Sequence, residues 1–373
     1  MKKISKIPSA FMSISNLEVK YVTNAIQYGW DKNWRKHTDE FIKKFSKFLG
    51  IKFCLPVSHC TAAIHLALLS LGIKKGDEVI VPNLTWVACA SPIIYVGAKP
   101  VFIDVDEKSL CLNTDDYQKK ITKRTKAIIS VDLLGNMPNY DEILRISKKY
   151  KIKIIEDAAE SIGAKFKNKK AGNFGDISVF SFNATKLIMS GQGGCLCTNN
   201  RKFYEKAKIF ANHGINKEKT GKYYWSTELG YNYNWTNLQA SLALAQLSRI
   251  SELLKFKKNI YKLYLKHFDK IKNVQITKNL EDTDQTFWIV YAICDKKINK
   301  EKFCEEFQKY KIDMRPMFYT ISTMTPFKSY NKNDTPISDR ISNNSVMLPN
   351  GYDLNEHKIK RIAFAFNKIL NGL

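Results

Sequence analysis

Between about residues 50 and 200, short Val- and Ile-rich runs alternate with stretches whose apolar residues recur at helical spacing. Runs of the first kind suit strands covered on both faces, and their alternation with helices predicts a mostly parallel sheet. The predicted strands are 78–82, 100–104, 126–131, 153–156, 177–182 and 194–198. Between them, 61–71 is almost wholly apolar and closes on Gly72, the pattern of a buried helix, whereas 140–150 is amphipathic with cations at its C-terminal end. Further along, 237–267 predicts one long helix, 286–294 a strand, and 300–310 and 355–370 two more helices. The fold class is therefore α/β with a smaller α+β lobe. No low-complexity or Pro/Gly-rich stretch separates the lobes, so the second is expected to pack firmly on the first.

Composition sets bounds on this picture. A chain of 373 residues with 44% hydrophobic positions sustains one large core and a lesser one. No window approaches the roughly 18 uninterrupted apolar residues of a membrane span, and positions 1–8 lack the apolar stretch of a signal peptide. A cytoplasmic protein is expected. The eight cysteines, at 54, 60, 89, 111, 195, 197, 294 and 304, lie mostly inside apolar runs without the paired spacings of zinc sites, so reduced thiols and no metal are expected. Cys195 and Cys197 alternate as on a strand, with both sulfurs on one face and no further ligand cluster nearby in the sequence. The formal charge of +25 suits a nucleic acid, an anionic surface or a phosphorylated substrate. Its lysines are scattered instead of forming a stripe interleaved with aromatics, which argues against nucleic acid and leaves a solvated lysine-rich surface or attraction of anionic substrates.

Candidate chemistry lies in forty residues. The strand at 153–156 runs into Glu156-Asp157-Ala158-Ala159-Glu160, and the next into Phe180-Ser181-Phe182-Asn183-Ala184-Thr185-Lys186 before Gly191-Gln192-Gly193-Gly194. An acid leaving one strand and a lysine leaving a later one suggest a pyridoxal phosphate site. There a lysine carries the cofactor aldehyde as a Schiff base and a carboxylate keeps the pyridine nitrogen protonated. Asp157 and Lys186 are the candidates; the alternatives are a helix cap for Asp157 and a solvated cation for Lys186. Glu160, one helical turn on, reaches the edge of the same ring. Ser58, Cys60 and Thr61 stand at the start of the helix at 61–71, where free N–H groups hold either a phosphate or ordinary caps. Trp86 follows the strand ending at Pro82, hence lies at the sheet's carboxyl edge, either stacked on a ring or packed in the core. Ser181 offers its hydroxyl to a phosphate or ring oxygen, or is an ordinary strand serine.

The order of these residues resembles the DegT/StrS family of sugar aminotransferases. The likeness rests on Gly76-Asp77-Glu78-Val79-Ile80-Val81-Pro82, Gly97-Ala98-Lys99-Pro100-Val101-Phe102, the two runs around Asp157 and Lys186, and Gly230-Tyr231-Asn232-Tyr233 with Thr236-Asn237. It implies the aspartate aminotransferase-like fold of type I: a cofactor-binding domain at 1–245, with 1–40 covering the site, and a small C-terminal domain at 246–373. It implies pyridoxal 5'-phosphate bound by Ser58, Cys60, Thr61, Trp86, Asp157, Glu160, Ser181 and Lys186. It also implies a homodimer with shared active sites, in which Asn232, by itself only a turn residue, reaches the partner's cofactor. A lysine at 186 favours amino transfer over the dehydratase branch, which has histidine there, with glutamate as donor. Elimination at a sugar carbon and a non-catalytic regulatory member are the lesser readings.

The run Met314-Arg315-Pro316-Met317-Phe318-Tyr319 is most similar to the perosamine synthase branch, which aminates a nucleotide-linked ketosugar for polysaccharide. Trp30, Arg315 and Tyr319 are the substrate-binding candidates, Arg315 either forking onto a phosphate or lying on the surface. The chain departs from the family pattern at Cys60, Asp132, Leu134, Asn234 and Ser322, positions expected around the acceptor. The loop at 29–37 is likewise unusual, a basic lip or a lysine-rich loop. These departures keep a smaller phosphorylated ketone as an alternative acceptor.

Overall fold

Seven strands form the main sheet, in the spatial order Phe53–Val57, Gly194–Thr198, Ile177–Ser181, Lys153–Asp157, Thr125–Val131, Glu78–Pro82 and Lys99–Ile103. The five from Ile177–Ser181 to Lys99–Ile103 run parallel; Gly194–Thr198 is antiparallel to both its neighbours. The computed structural model describes residues 5–372, so the first four residues of the covering segment expected at 1–40 lie outside the described residues, as does residue 373.

Side chains alternate across this sheet as the two-residue period of a strand demands. Val79, Val81, Ile129, Ile155, Val179 and Leu196 enter one apolar layer. Ile80, Ile128, Ile154, Phe180, Cys195 and Cys197 enter the other. The first layer is closed by the helix Cys60–Leu71, the second by Lys36–Leu49, whose Phe41 and Phe45 meet Phe182 and Phe180 edge to face at 5.4 and 5.2 Å. Burying each phenylalanine of that seam contributes about 1.5–3 kcal/mol.

A four-stranded antiparallel sheet, Val274–Ile276, Tyr291–Cys294, Ser345–Met347 and Arg315–Pro316, carries a third apolar cluster shared with the helices Ile250–Phe268 and Glu356–Leu370. The amino-terminal stretch is strapped across it. Ile7 donates its N–H to Lys311 O (2.9 Å), Asn350 N–H reaches Ser9 O (2.9 Å), and Tyr352 N–H reaches Phe11 O (2.8 Å). Among the described residues no helix is long and apolar enough to cross a membrane.

The predicted strands of the main sheet match those found to within a residue, whereas other elements differ. Phe53–Val57 is an additional strand; its Pro56 has no N–H to give, which an edge strand tolerates because one side of its ladder is unpaired. The helices Asn16–Tyr28 and Lys36–Leu49 were also unassigned. The long helix at 237–267 is two, Asn237–Ser248 and Ile250–Phe268, broken at Arg249, whose guanidinium turns to Glu18 Oε1 (2.8 Å) and Ser13 Oγ (2.8 Å). The strand at 286–294 shrinks to Tyr291–Cys294 because Phe287 takes a positive φ of 50° and stacks on Tyr261. The fold also supplies the third thiol that the sequence left out: Cys54 lies opposite Cys197, its Sγ 3.4 Å away, with Cys195 Sγ 3.6 Å from Cys197 Sγ.

Candidate active site

Strand direction decides what meets at one edge. The parallel strands deliver Pro82, Val131, Asp157 and Ser181 at their carboxyl ends. Gly194–Thr198, running the other way, starts where they finish, so Gly194 pairs with Ser181 on one side and Val57 on the other. Gly194 approaches the helix start so closely that a Cβ there would lie 2.5 Å from His59 C and 2.6 Å from Cys60 N. The helix Cys60–Leu71 begins at this junction after His59, and no side chain caps it. Neither Ser58 nor Thr61 is a cap, and the first N–H groups of the helix stay available at the positive end of its dipole.

The junction opens into a cavity of about 540 Å³ lined by Cys60, Thr61, Trp86, Asp157, Glu160, Ser181, Lys186 and Arg315 among others. Eight of the sequence candidates thus come together. Asp157 is buried, its Oδ2 accepting from Cys89 Sγ (3.1 Å) and its Oδ1 from Ala159 N–H (3.1 Å). Burial pushes its carboxyl up, opposed by these donors and by the charge of Lys186. Lys186 Nζ lies 3.2 Å from Glu160 Oε1 and 3.8 Å above the centre of the Trp288 ring. Glu160 Oε2 is fixed by Leu134 N–H at 2.7 Å. The neighbouring Glu156 points to the opposite face, where the N–H groups of Phe174 (2.7 Å) and Gly175 (3.1 Å) hold it. Trp86 is 58% exposed at the lip, not a core tryptophan.

Four candidates do not line this cavity. Ser58 donates its backbone N–H to Tyr233 O (2.9 Å). Asn232 is exposed, its Oδ1 accepting from Asn234 Nδ2 (3.3 Å). Trp30 donates Nε1 to Ile26 O (2.6 Å), and Tyr319 donates its hydroxyl to Glu301. The loop at 29–37 is a short 3-10 turn, Asp31–Asn33, leading into a helix.

Of the five departures from the family pattern only Cys60 reaches the cavity. Asp132 is buried below it, accepting from Tyr140 and Ser161 hydroxyls at 2.6 Å each; Leu134 is buried too; Ser322 Oγ accepts from Asn83 Nδ2 (2.9 Å); Asn234 bonds to Asn212 (3.3 Å). Asp132, Leu134 and Ser322 are thus buried outside the cavity lining, and Asn234 is exposed beside Asn232.

Sequence reasoning missed Cys89, Trp288, Lys257, Asn350 and Ser9, all of which line the cavity. Cys89 was traceable, being three positions beyond Trp86 on the same turn. The others arrive from distant segments and carried no local signal.

The residues fit pyridoxal phosphate: uncapped helix N–H groups for a phosphate, a buried acid whose Oδ2 meets only a thiol for a ring cation, and a lysine facing the same cavity. The model of the DegT/DnrJ/EryC1/StrS aminotransferase family matches residues 12–367. GDP-perosamine synthase of Escherichia coli O157:H7 is 34% identical over 97% of this chain and 98% of its own. Spore coat polysaccharide biosynthesis protein SpsC of Bacillus subtilis is 34% identical over 77% of this chain and 75% of its own. Among solved structures, the putative sugar aminotransferase Spr1654 of Streptococcus pneumoniae superposes with a TM-score of 0.91 over 99% of this chain and 98% of its own, at 24% identity, a likeness of fold. With site geometry, fold and family in agreement, the chain belongs to the DegT/DnrJ/EryC1/StrS aminotransferases and is a pyridoxal phosphate-dependent enzyme.

Proposed function

We propose that this chain transfers an amino group from glutamate to the keto carbon of a nucleotide-linked sugar in surface-polysaccharide synthesis. The carrying observation is the amine of Lys186, poised between Glu160 and the Trp288 face in the cavity that also holds buried Asp157. The names of the GDP-perosamine synthase and the spore coat protein, each 34% identical, support the sugar and the polysaccharide.

Bound pyridoxal phosphate supplies the electron sink that lets a proton leave a carbon next to nitrogen. Lys186 takes that proton from the donor and returns it to the acceptor carbon, and Glu160 aims its amine. Asp157, oriented by Cys89 and Ala159, would keep the ring nitrogen protonated. The N–H groups at Cys60 and Thr61, with the Ser181 hydroxyl, would hold the phosphate, and Ser58 fixes the turn before them through Tyr233. Trp86 would cover the ring and exclude water. Arg315, which lines the cavity, serves the acceptor, with Trp30 and Tyr319 outside the lining. Asn232, away from its own cavity, serves the partner's in a homodimer, and the net charge of +25 draws a phosphorylated acceptor in. A smaller phosphorylated ketone is the second reading; the names of the two relatives favour the nucleotide-linked sugar over it.

The test uses purified holoenzyme. Adding L-glutamate is expected to change the cofactor's absorbance and release 2-oxoglutarate. Lys186→Ala abolishes both, and a nucleotide-linked 4-ketosugar restores the starting spectrum in the wild type. Retention of the glutamate response by Lys186→Ala sinks the assignment.

A further inference from the structure

Three lysine or arginine side chains line the cavity: Lys186, Arg315 and Lys257. Two have acids beside them. Lys186 pairs with Glu160 at 3.2 Å, and Arg315 Nη2 with Asp313 Oδ2 at 3.2 Å, an acid that also accepts from the Ser9 hydroxyl at 2.8 Å. Lys257 is only 4% exposed and has no acidic partner among the described residues. Its ammonium donates to one carbonyl, Asn350 O, and lies 4.7 Å from the centre of the Tyr352 ring.

An ammonium has three N–H bonds to place. The other buried lysine among the described residues places all of them: Lys300 Nζ bonds Met317 O (3.2 Å), Ser342 O (2.9 Å) and Ser342 Oγ (3.1 Å). Lys300 is a satisfied structural cation, whereas Lys257 keeps donors in reserve. Asn350 beside it is incomplete in the complementary sense. Both its amide hydrogens are committed, to Phe287 O (3.0 Å) and Trp288 O, which fixes Oδ1 as the remaining acceptor, and that buried oxygen has no partner. A cation without a counter-ion and an acceptor without a donor thus stand in one cavity wall. Burial also pushes the Lys257 amine down to about 7.

We propose that Lys257 and Asn350 form a substrate subsite in which Lys257 binds an anionic oxygen, carboxylate or phosphate, and Asn350 Oδ1 accepts from a neighbouring hydroxyl or amine of the same molecule. The proposal rests on the aminotransferase reading above and names a second point of attachment for its substrates. It assigns Arg315 a supporting part, because Asp313 already balances its charge. The two sources of such an anion are the donor's carboxylate and the acceptor's phosphate.

The experiment titrates the glutamate-induced absorbance change of holoenzyme in the presence of glutarate, a dicarboxylate that cannot react, or of inorganic phosphate. In Lys257→Met, at least one of these competitors is expected to bind about tenfold or more weakly. Loss confined to glutarate assigns the subsite to the donor, loss confined to phosphate assigns it to the acceptor, and loss of both makes it common to the two. Lys257→Arg is expected to recover most of the affinity. The cofactor band stays, and the melting temperature is unchanged or raised, since an unpaired buried charge is removed; Lys300→Met, in contrast, melts lower. Unchanged inhibition by both competitors in Lys257→Met overturns the subsite, as does a melting temperature that falls in parallel with Lys300→Met. If the wild type itself gives no absorbance response to glutamate, the aminotransferase reading fails instead.

Discussion

Asp132 illustrates how one side chain is reassigned by its surroundings. Its two oxygens accept from Tyr140 and Ser161 in a site with no solvent access. Burial first, and then the charge of Glu156, push its carboxyl well above the ordinary range. A folded-state pKa above the unfolded one gives stability that is complete below the unfolded value and is lost as pH rises through the folded value. Asp132→Asn removes that loss, so the variant's unfolding free energy relative to wild type should grow as pH rises above about 4, the ordinary carboxyl value, in urea denaturation. A gap that narrows with rising pH contradicts the assignment. Asp157 and Lys186 were legible because strand ends and a following glycine turn are written locally. Asp132 was misplaced because nothing local tells whether a strand-end acid faces the cavity or the helix behind it.

At the scale of elements, the junction of two strands and a helix start depends on one missing side chain. Gly194→Ala would set a Cβ 2.5 Å from His59 C, so the backbone at the start of Cys60–Leu71 must move. Overpacking of this kind costs about 1–3 kcal/mol, and displaced N–H groups hold a phosphate less well. Cofactor affinity measured by equilibrium dialysis of the apoprotein should therefore fall about tenfold or more, with far-ultraviolet circular dichroism unchanged. Undiminished affinity would mean that the phosphate lies elsewhere. The central strands could be read from the sequence because apolar residues on both faces leave a continuous run. The edge strand with its proline and the break at Arg249 could not, since each is permitted by a neighbour: an unpaired ladder in one case, Glu18 and Ser13 in the other.

For the whole molecule, the protomer leaves apolar side chains in the open: Tyr224 is 92% and Leu229 85% exposed, with Tyr223, Trp225 and Tyr95 also uncovered. Exposed Asn232 follows shortly in the same region. Exposed apolar tracts of this kind are common at association surfaces, and the proposed homodimer that exchanges Asn232 between sites is the expected occupant. Asn232→Ala and Lys186→Ala, each nearly inactive alone, should regain about a quarter of wild-type activity when unfolded together and refolded as an equal mixture, because half the dimers then carry one intact site. No recovery, despite dimers in sedimentation, would place Asn232 in its own protomer's chemistry.

The strap from Ile7 to Phe11 sets the order in which this protein can be finished. Ser9 is held by Asp313, 304 positions later, and by the backbone of Asn350. During synthesis the strap leaves the ribosome well before the segments it docks on and must wait, undocked, until Asp313 and Asn350 have followed, so the wall that carries Arg315 and Asn350 closes only after both have emerged.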